Sequence, residues 1–388
     1  MRQILFVFLF LLSTLCLASH QVIRPGAEQT GRYIEMLQGK RVAVFANSSS
    51  LIGHRHLVDV LLEHKIHVVK IFSPEHGFRG DVDERVANSV DEKTGIPIIS
   101  LYGKRLSPTA EDLLDVDVVV FDIQDVGVRF YTYISSLQKL MEAAISNNKP
   151  LIILDRPNPN GFYVDGPVLD LKYKSFTGMQ PIPLVYGMTI GEYAKMLVGE
   201  EWLNVTPKSK AKELKLTVIP CQHYSHQSLY IPPVKPSPNL PDIQSIYWYP
   251  SIGLMEATVL SVGRGTDKPF HEFGHPLLHA KFCFTPTPKK FAKNPPYQNQ
   301  VCHGWNLSGS QRQVLNKIND KLQIKYLMQA YRLYPDKDGF FRGFSYAAGT
   351  DVLEKQIRLG MSEAEIRKSW QPELDRFKRI RQKYLIYY

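Results

Sequence analysis

The sequence predicts an α/β protein, a Rossmann-like parallel-sheet domain with helices on both faces followed by a smaller C-terminal α/β domain. Three observations carry this. Strand-like and helix-like patterns alternate from Arg41 to Ile219, and repeated β-α order builds parallel sheets. Between its bounding aspartates, Asp117–Asp122 is wholly apolar, as strands covered on both faces are. Unusual polar residues cluster just after the strands, where open parallel sheets bind ligands.

Read in order, the chain begins with Met1-Arg2-Gln3, the apolar run Ile4 to Leu17, and the small residues of Cys16-Leu17-Ala18-Ser19. This is the pattern of an export signal, too short for a convincing membrane span. Residues 1–19 are therefore expected to be a signal peptide and the protein to be periplasmic; lipid attachment at Cys16 and a retained anchor are the alternatives. The Rossmann-like domain is expected over 20–230. Its strands are Arg41–Ala46, His67–Phe72, Ile96–Leu101, Asp117–Asp122, Leu151–Leu154 and Leu214–Ile219. Helices are expected at His54–Lys65, Pro108–Leu114, Tyr131–Asn147 and Thr189–Val198. The smaller domain is expected over 231–388, opening on the proline-rich Pro232–Pro241, which suits a rigid connector or cleft wall. Lys281–Phe284 reads as a strand and Asp351–Leu359 as a helix stopped by Gly360. Ser362 with Glu365 forms a capping-box pattern for a last helix, which Pro372 is expected to divide.

Composition narrows the function. With 44% hydrophobic and 22% charged residues the chain is an ordinary globular protein. Its net charge of +10 is spread out, without a cationic run carrying stacking aromatics. Nucleic acid is therefore not the expected partner, and anionic wall polymers or acidic sugars suit an exported basic protein better. Cys221, Cys283 and Cys302 do not form a disulfide scaffold, although a Cys283–Cys302 bridge is open.

Several motifs mislead. His271-Glu272-Phe273-Gly274-His275 spells the zincin pattern, which requires both histidines on one helical face. Pro269, Gly274 and Pro276 argue against a helix there, so no metal site is expected. No G-x-G-x-x-G follows the first strand and no G-x-S-x-G is present, which removes support for dinucleotide binding and for an ordinary serine esterase.

The informative stretches follow the strands: Asn47-Ser48-Ser49-Ser50, Ser73-Pro74-Glu75-His76-Gly77, Asp122 to Arg129, and Asp155-Arg156-Pro157-Asn158-Pro159-Asn160-Gly161. One such loop would be an ordinary turn. Three carrying Glu-His, Gln-Asp-Arg and Asp-Arg-Asn together point to a site.

Taken together, Phe72–Gly80, Phe121–Tyr133, Leu154–Gly161, Asp165–Val168, Pro183–Thr189, Ser237–Pro241, Glu256–Thr258, Ser261–Thr266 and Ala348–Asp351 resemble the exo-β-N-acetylmuramidase family of NamZ-type peptidoglycan hexosaminidases. The resemblance spans nearly the whole mature chain. It implies a cleft between the two domains and removal of β-1,4-linked N-acetylmuramic acid from the non-reducing end of peptidoglycan fragments, without a cofactor. His271 and His275 look less typical of the family. Alternatives are a glucosaminidase, an amidase, or a non-catalytic wall-glycan-binding protein.

Glycoside hydrolysis needs a proton donor and a group that handles the oxocarbenium-like centre. Glu75, after a buried strand, is the lead catalytic residue as general acid; Asp125 and Glu256, with Asp122, are candidates for the second group. Gln124 and Asp125 are also placed to hold the acetamido group for substrate-assisted hydrolysis. Arg129, Arg156 and Arg264 suit the lactyl carboxylate, since an arginine fork matches a carboxylate, though each alone reads as a clamp on a loop carbonyl. His76, Tyr131, Asn158, Asn239 and Thr266 complete the expected substrate-binding set, and Tyr133 and Tyr186 are further candidates for lining the sugar pocket.

Overall fold

The computed structural model describes residues 22–75, 77–79 and 88–388. The expected signal peptide, Cys16 and His76 lie outside the described residues.

The main sheet has seven strands: β1 Arg41–Ala46, β2 His67–Ser73, β3 Ser89–Val90, β4 Pro97–Ser100, β5 Val118–Asp122, β6 Leu151–Leu154 and β7 Leu216–Ile219, in the order β7-β6-β5-β1-β2-β4-β3. All neighbours pair in parallel except the short edge strand β3, which runs antiparallel to β4. Counted without β3, this is the doubly wound order, whose direction reverses between β1 and β5 and opens a crevice there.

The residues explain the layering. Alternate side chains of a strand point to opposite faces. Ala43, Phe45, Val119 and Phe121 join the core under helix α3, Tyr133–Ser146, and helix α4, Ile190–Gly199. Val42, Val44, Val118 and Val120 join a second core with Leu57, Val58 and Leu61 of helix α1, Leu57–Glu63; the short helix α2, Ala110–Leu113, lies between β4 and β5. A register slip of one residue would exchange these sets, so the pattern fixes the pairing. The first core continues past residue 230 and includes Trp248, Phe273 and Phe377.

The second half is built on a three-stranded antiparallel sheet, β8 Glu272–His275, β9 Phe282–Phe284 and β10 Cys302–Asn306, with β10 in the middle. The stretch spelling the zincin pattern is thus mainly strand, and its histidines are not one helical turn apart. His271 Nε2 meets the Asp242 carboxylate at 2.8 Å. His275 packs edge-on against Tyr297 and Tyr334. Cys302 is buried and Cys283 exposed on the paired strands, and both are free thiols. Strand alternation turns them to opposite faces, so the Cys283–Cys302 bridge does not form.

Two helices depart from expectation at proline. Helix α5, Ile243–Ile252, contains Pro250 and was not foreseen. Asp242 opens it with a capping box to Ser245. Pro250 cannot donate to the Ile246 carbonyl; Asn160 Nδ2 donates there instead at 3.1 Å and also to the Val126 carbonyl at 2.8 Å. Nearly every side chain of α5 is buried, so the segment lacks the polar stripe that marks a surface helix. Pro372 does not divide the last helix, α6, which is continuous over Glu363–Gln382. The proline is on the exposed face, where the unpaired carbonyl can turn to water. Ile366, Trp370, Leu374 and Phe377 bury the other face on both sides of it.

Candidate active site

A recess of about 90 Å³ lies at the carboxyl edge of the sheet. Glu75, just past β2, forms one wall. Phe130, Tyr131, Thr132 and Tyr133 come from the turn leading from β5 into α3, Ser237, Asn239 and Leu240 from the proline-rich segment, and Tyr249, Arg264 and Phe270 from the second half. Sequence separated by almost two hundred residues therefore closes on one carboxyl group.

Half-buried Glu75 is held by two hydroxyls. Tyr102 donates to Oε1 at 2.9 Å and Thr132 to Oε2 at 3.3 Å. The aromatic wall is itself fixed. Tyr131 donates to the Pro236 carbonyl at 2.6 Å, and Asn47 Nδ2 donates to the Tyr133 hydroxyl at 2.9 Å. Tyr249 meets Phe130, Tyr131 and Phe270 edge-on with ring centres 5.0–5.9 Å apart, a favoured aromatic geometry. Arg264 donates from Nε to Glu256 Oε1 at 2.6 Å, with its guanidinium carbon 5.4 Å from the Phe270 ring centre. The recess thus presents a carboxyl group, a cation with a carboxylate partner, and a rigid aromatic lining. That combination suits an anionic sugar.

Of the expected site residues, Glu75, Tyr131, Tyr133, Asn239 and Arg264 line this recess, and Glu256 reaches it through Arg264. The other described ones are hydrogen-bonded within the scaffold. Arg129 has no exposed surface; its Nη1 donates to the carbonyls of Pro167 and Ile182 and its Nη2 to that of Ala347 at 2.9–3.1 Å, while its Nε has no partner among the described residues. Burial pulls its pKa down to about 9, which leaves it charged at neutral pH. Arg156 grips Asp122 through Nε and Nη2 at 2.5 and 2.8 Å and also reaches the Leu51 carbonyl. Asn158 donates to the Met188 carbonyl and accepts from Asn160 N. Gln124 Nε2 bridges the carbonyls of Asp125 and Pro157, both at 2.8 Å. Thr266 closes a turn on Gly263. Arg129, Asn158 and Gln124 thus donate to carbonyls that the glycine- and proline-rich loops leave unpaired, and Arg156 pairs chiefly with a carboxylate.

Asp125 is buried one layer behind the aromatic wall. Its Oδ2 accepts from Gly127 N at 2.7 Å and from the Tyr186 hydroxyl, while Oδ1 has no partner among the described residues. Burial raises its pKa to about 6 despite these bonds. Between the unfolded value near 4 and this value the folded state holds the extra proton. Asp125 therefore favours folding below about pH 4, and the benefit is lost as pH rises through 6. The expected cost of moving from acid to neutral pH is on the order of 3 kcal/mol for this carboxyl. Asp125→Asn should flatten that part of the stability profile, as read by urea unfolding at pH 4.5, 5.5 and 6.5. An unchanged profile would contradict the assignment.

Sequence reasoning missed Tyr102, Thr132, Ser237, Tyr249 and Phe270. Tyr102 had a usable signal, since it lies two residues past β4 at the same sheet edge as Glu75. Thr132 lies between two expected pocket tyrosines in the stretch after β5, whereas Ser237, Tyr249 and Phe270 depend on how the second half closes over the sheet, for which no local pattern exists.

Profiles of the family described as exo-β-N-acetylmuramidase NamZ match residues 42–244 with the N-terminal part and 247–387 with the C-terminal part. The chain is 36% identical to the peptidoglycan β-N-acetylmuramidase NamZ of Bacillus subtilis (strain 168), over the full length of both. Two crystal structures of DUF1343 family proteins from Bacteroides fragilis NCTC 9343 are similar. BF0379 shares 46% identity with a TM-score of 0.86, and BF0371 shares 29% identity with a TM-score of 0.74; each comparison covers 94% of this chain and 99% of the other.

Proposed function

The chain belongs to the exo-β-N-acetylmuramidase NamZ family, and from that premise we propose that it is a glycosidase releasing terminal β-1,4-linked N-acetylmuramic acid from the non-reducing end of peptidoglycan fragments. The observation that carries this for the site is the meeting of Glu75, Arg264 and a fixed aromatic lining in one recess.

Glu75 is the general acid in this reading. Among the described residues its carboxyl is held by two hydroxyls and by no cation, and it faces the recess where a glycosidic oxygen would sit. Arg264 meets the lactyl carboxylate. It is the arginine of the expected three that lines the recess, while Arg129 and Arg156 are occupied elsewhere. Glu256 orients Arg264 through the Nε contact. The oxocarbenium-like centre is served by Glu256 or by the sugar's own acetamido group, as in substrate-assisted hydrolysis.

Arg264→Gln should raise KM for a chromogenic β-N-acetylmuramide by roughly 10–100-fold, the worth of a hydrogen bond to a charged group. Hydrolysis of the matching N-acetylglucosaminide, which lacks the lactyl group, should stay as slow as in the wild type. Equal loss on both substrates would remove Arg264 from lactyl recognition. Release from the muramide alone by the wild type tests the function itself; saturable binding without release would favour a binding protein.

The basic start and the apolar run Ile4 to Leu17 support action outside the cytoplasm, in the periplasm. Among the described residues no helix is long and apolar enough to cross a membrane. Unprocessed protein confined to the cytoplasmic fraction would contradict export.

A further inference from the structure

We propose that Tyr102 and Thr132 are positioning residues that divide the two oxygens of Glu75 between structure and proton transfer. The inference rests on the reading of Glu75 as the general acid.

The two hydroxyls come from opposite sides of the strand that carries Glu75. Tyr102 follows β4, the neighbour of β2 on one side, and Leu101 N fastens that turn to the Ser73 carbonyl at 2.8 Å. Thr132 precedes α3, which follows β5 beyond β1 on the other side. Each hydroxyl takes one oxygen, Tyr102 at Oε1 and Thr132 at Oε2, so the carboxyl plane is fixed from both ends.

The two hydroxyls differ in reach. A phenol on a planar ring donates along a fixed direction, and 2.9 Å is an ordinary distance for it. The Thr132 contact is longer at 3.3 Å, and a threonine hydroxyl rotates to donate or accept. Oε1 is therefore the anchored oxygen. Oε2 carries the mobile proton: Thr132 accepts from it when the carboxyl is protonated and donates to it once the proton has left. Thr132 lines the recess beside Glu75, so the exchanging oxygen is the one nearest the sugar. No atom is gained or lost by the clamp; the proton passes from Oε2 to the glycosidic oxygen as that bond breaks, and water returns it.

The test compares two leaving groups. A disaccharide loses a sugar alcohol, which needs the proton; a dinitrophenyl β-N-acetylmuramide loses a phenolate, which does not. Tyr102→Phe should lower kcat on the disaccharide about tenfold, the upper range for one hydrogen bond, with KM within about twofold. On the dinitrophenyl substrate kcat should stay within about twofold of wild type. Thr132→Val should show the same split, and Thr132→Ser should restore disaccharide turnover. Wild-type disaccharide turnover in a folded Tyr102→Phe protein would overturn the proposal. Equal losses on both substrates would do so too, because they mark a structural role. If the wild type hydrolyses neither substrate, or Glu75→Gln turns over the disaccharide normally, the muramidase reading or the role of Glu75 fails instead.

Discussion

Glu75→Gln should lower release of N-acetylmuramic acid from a disaccharide by about 10²–10⁴-fold, the usual worth of a general acid. The substitution keeps the shape and both hydrogen-bond positions, so Tyr102 can still donate to the retained oxygen. What it removes is a transferable proton. Glu75 is half-buried and makes no ion pair with a described residue, so folding stability should change by less than about 0.5 kcal/mol. The two readouts together separate chemistry from structure: steady-state turnover collapses while the urea midpoint stays in place. A folded variant with near-wild-type turnover would take Glu75 out of the mechanism.

The largest effect on stability is expected at Arg156. Its guanidinium and the Asp122 carboxylate are 2% and 0% exposed and joined by two hydrogen bonds. Arg156→Met should cost about 3–5 kcal/mol in urea unfolding, because it leaves a buried carboxylate without its cation. Replacing both partners, Arg156→Met with Asp122→Leu, should recover much of that loss, since a buried pair contributes little over well-packed apolar groups. If the double variant is as unstable as the single one, the pair contributes more than mutual compensation. The pair joins the end of β5 to the loop after β6 at the crevice. The single variant should therefore also blunt activity by loosening the turn that carries Thr132 and Tyr133.

The parallel sheet was legible because its signal is local and repeated. Val118–Phe121 is apolar at consecutive positions and proves buried on both faces. The position of Glu75 on the recess wall was legible for a topological reason, as a carboxyl just beyond a buried strand in a doubly wound order. The arginines were harder. Arg129, Arg156 and Arg264 all lie in motif loops, yet only the carbonyl or carboxylate each one faces decides its task, and those partners are up to 218 residues away in sequence. Asp125 shows the same difficulty, because its role depends on Tyr186 and Gly127 folding over it. Helix α5 was hidden because Pro250 and an almost fully buried surface removed both the period and the continuity that mark helices. The rescue of the Ile246 carbonyl by Asn160 is a tertiary event.

In the proposed reaction a terminal muramoyl unit enters the recess with its lactyl carboxylate toward Arg264 and its glycosidic oxygen toward Glu75. Two disaccharides with the same components in opposite order test this most directly, with products followed by mass spectrometry. N-acetylmuramic acid at the non-reducing end should be released with N-acetylglucosamine as the second product, while the reversed disaccharide should remain intact. Cleavage of the reversed compound, or of both at similar rates, would contradict the account.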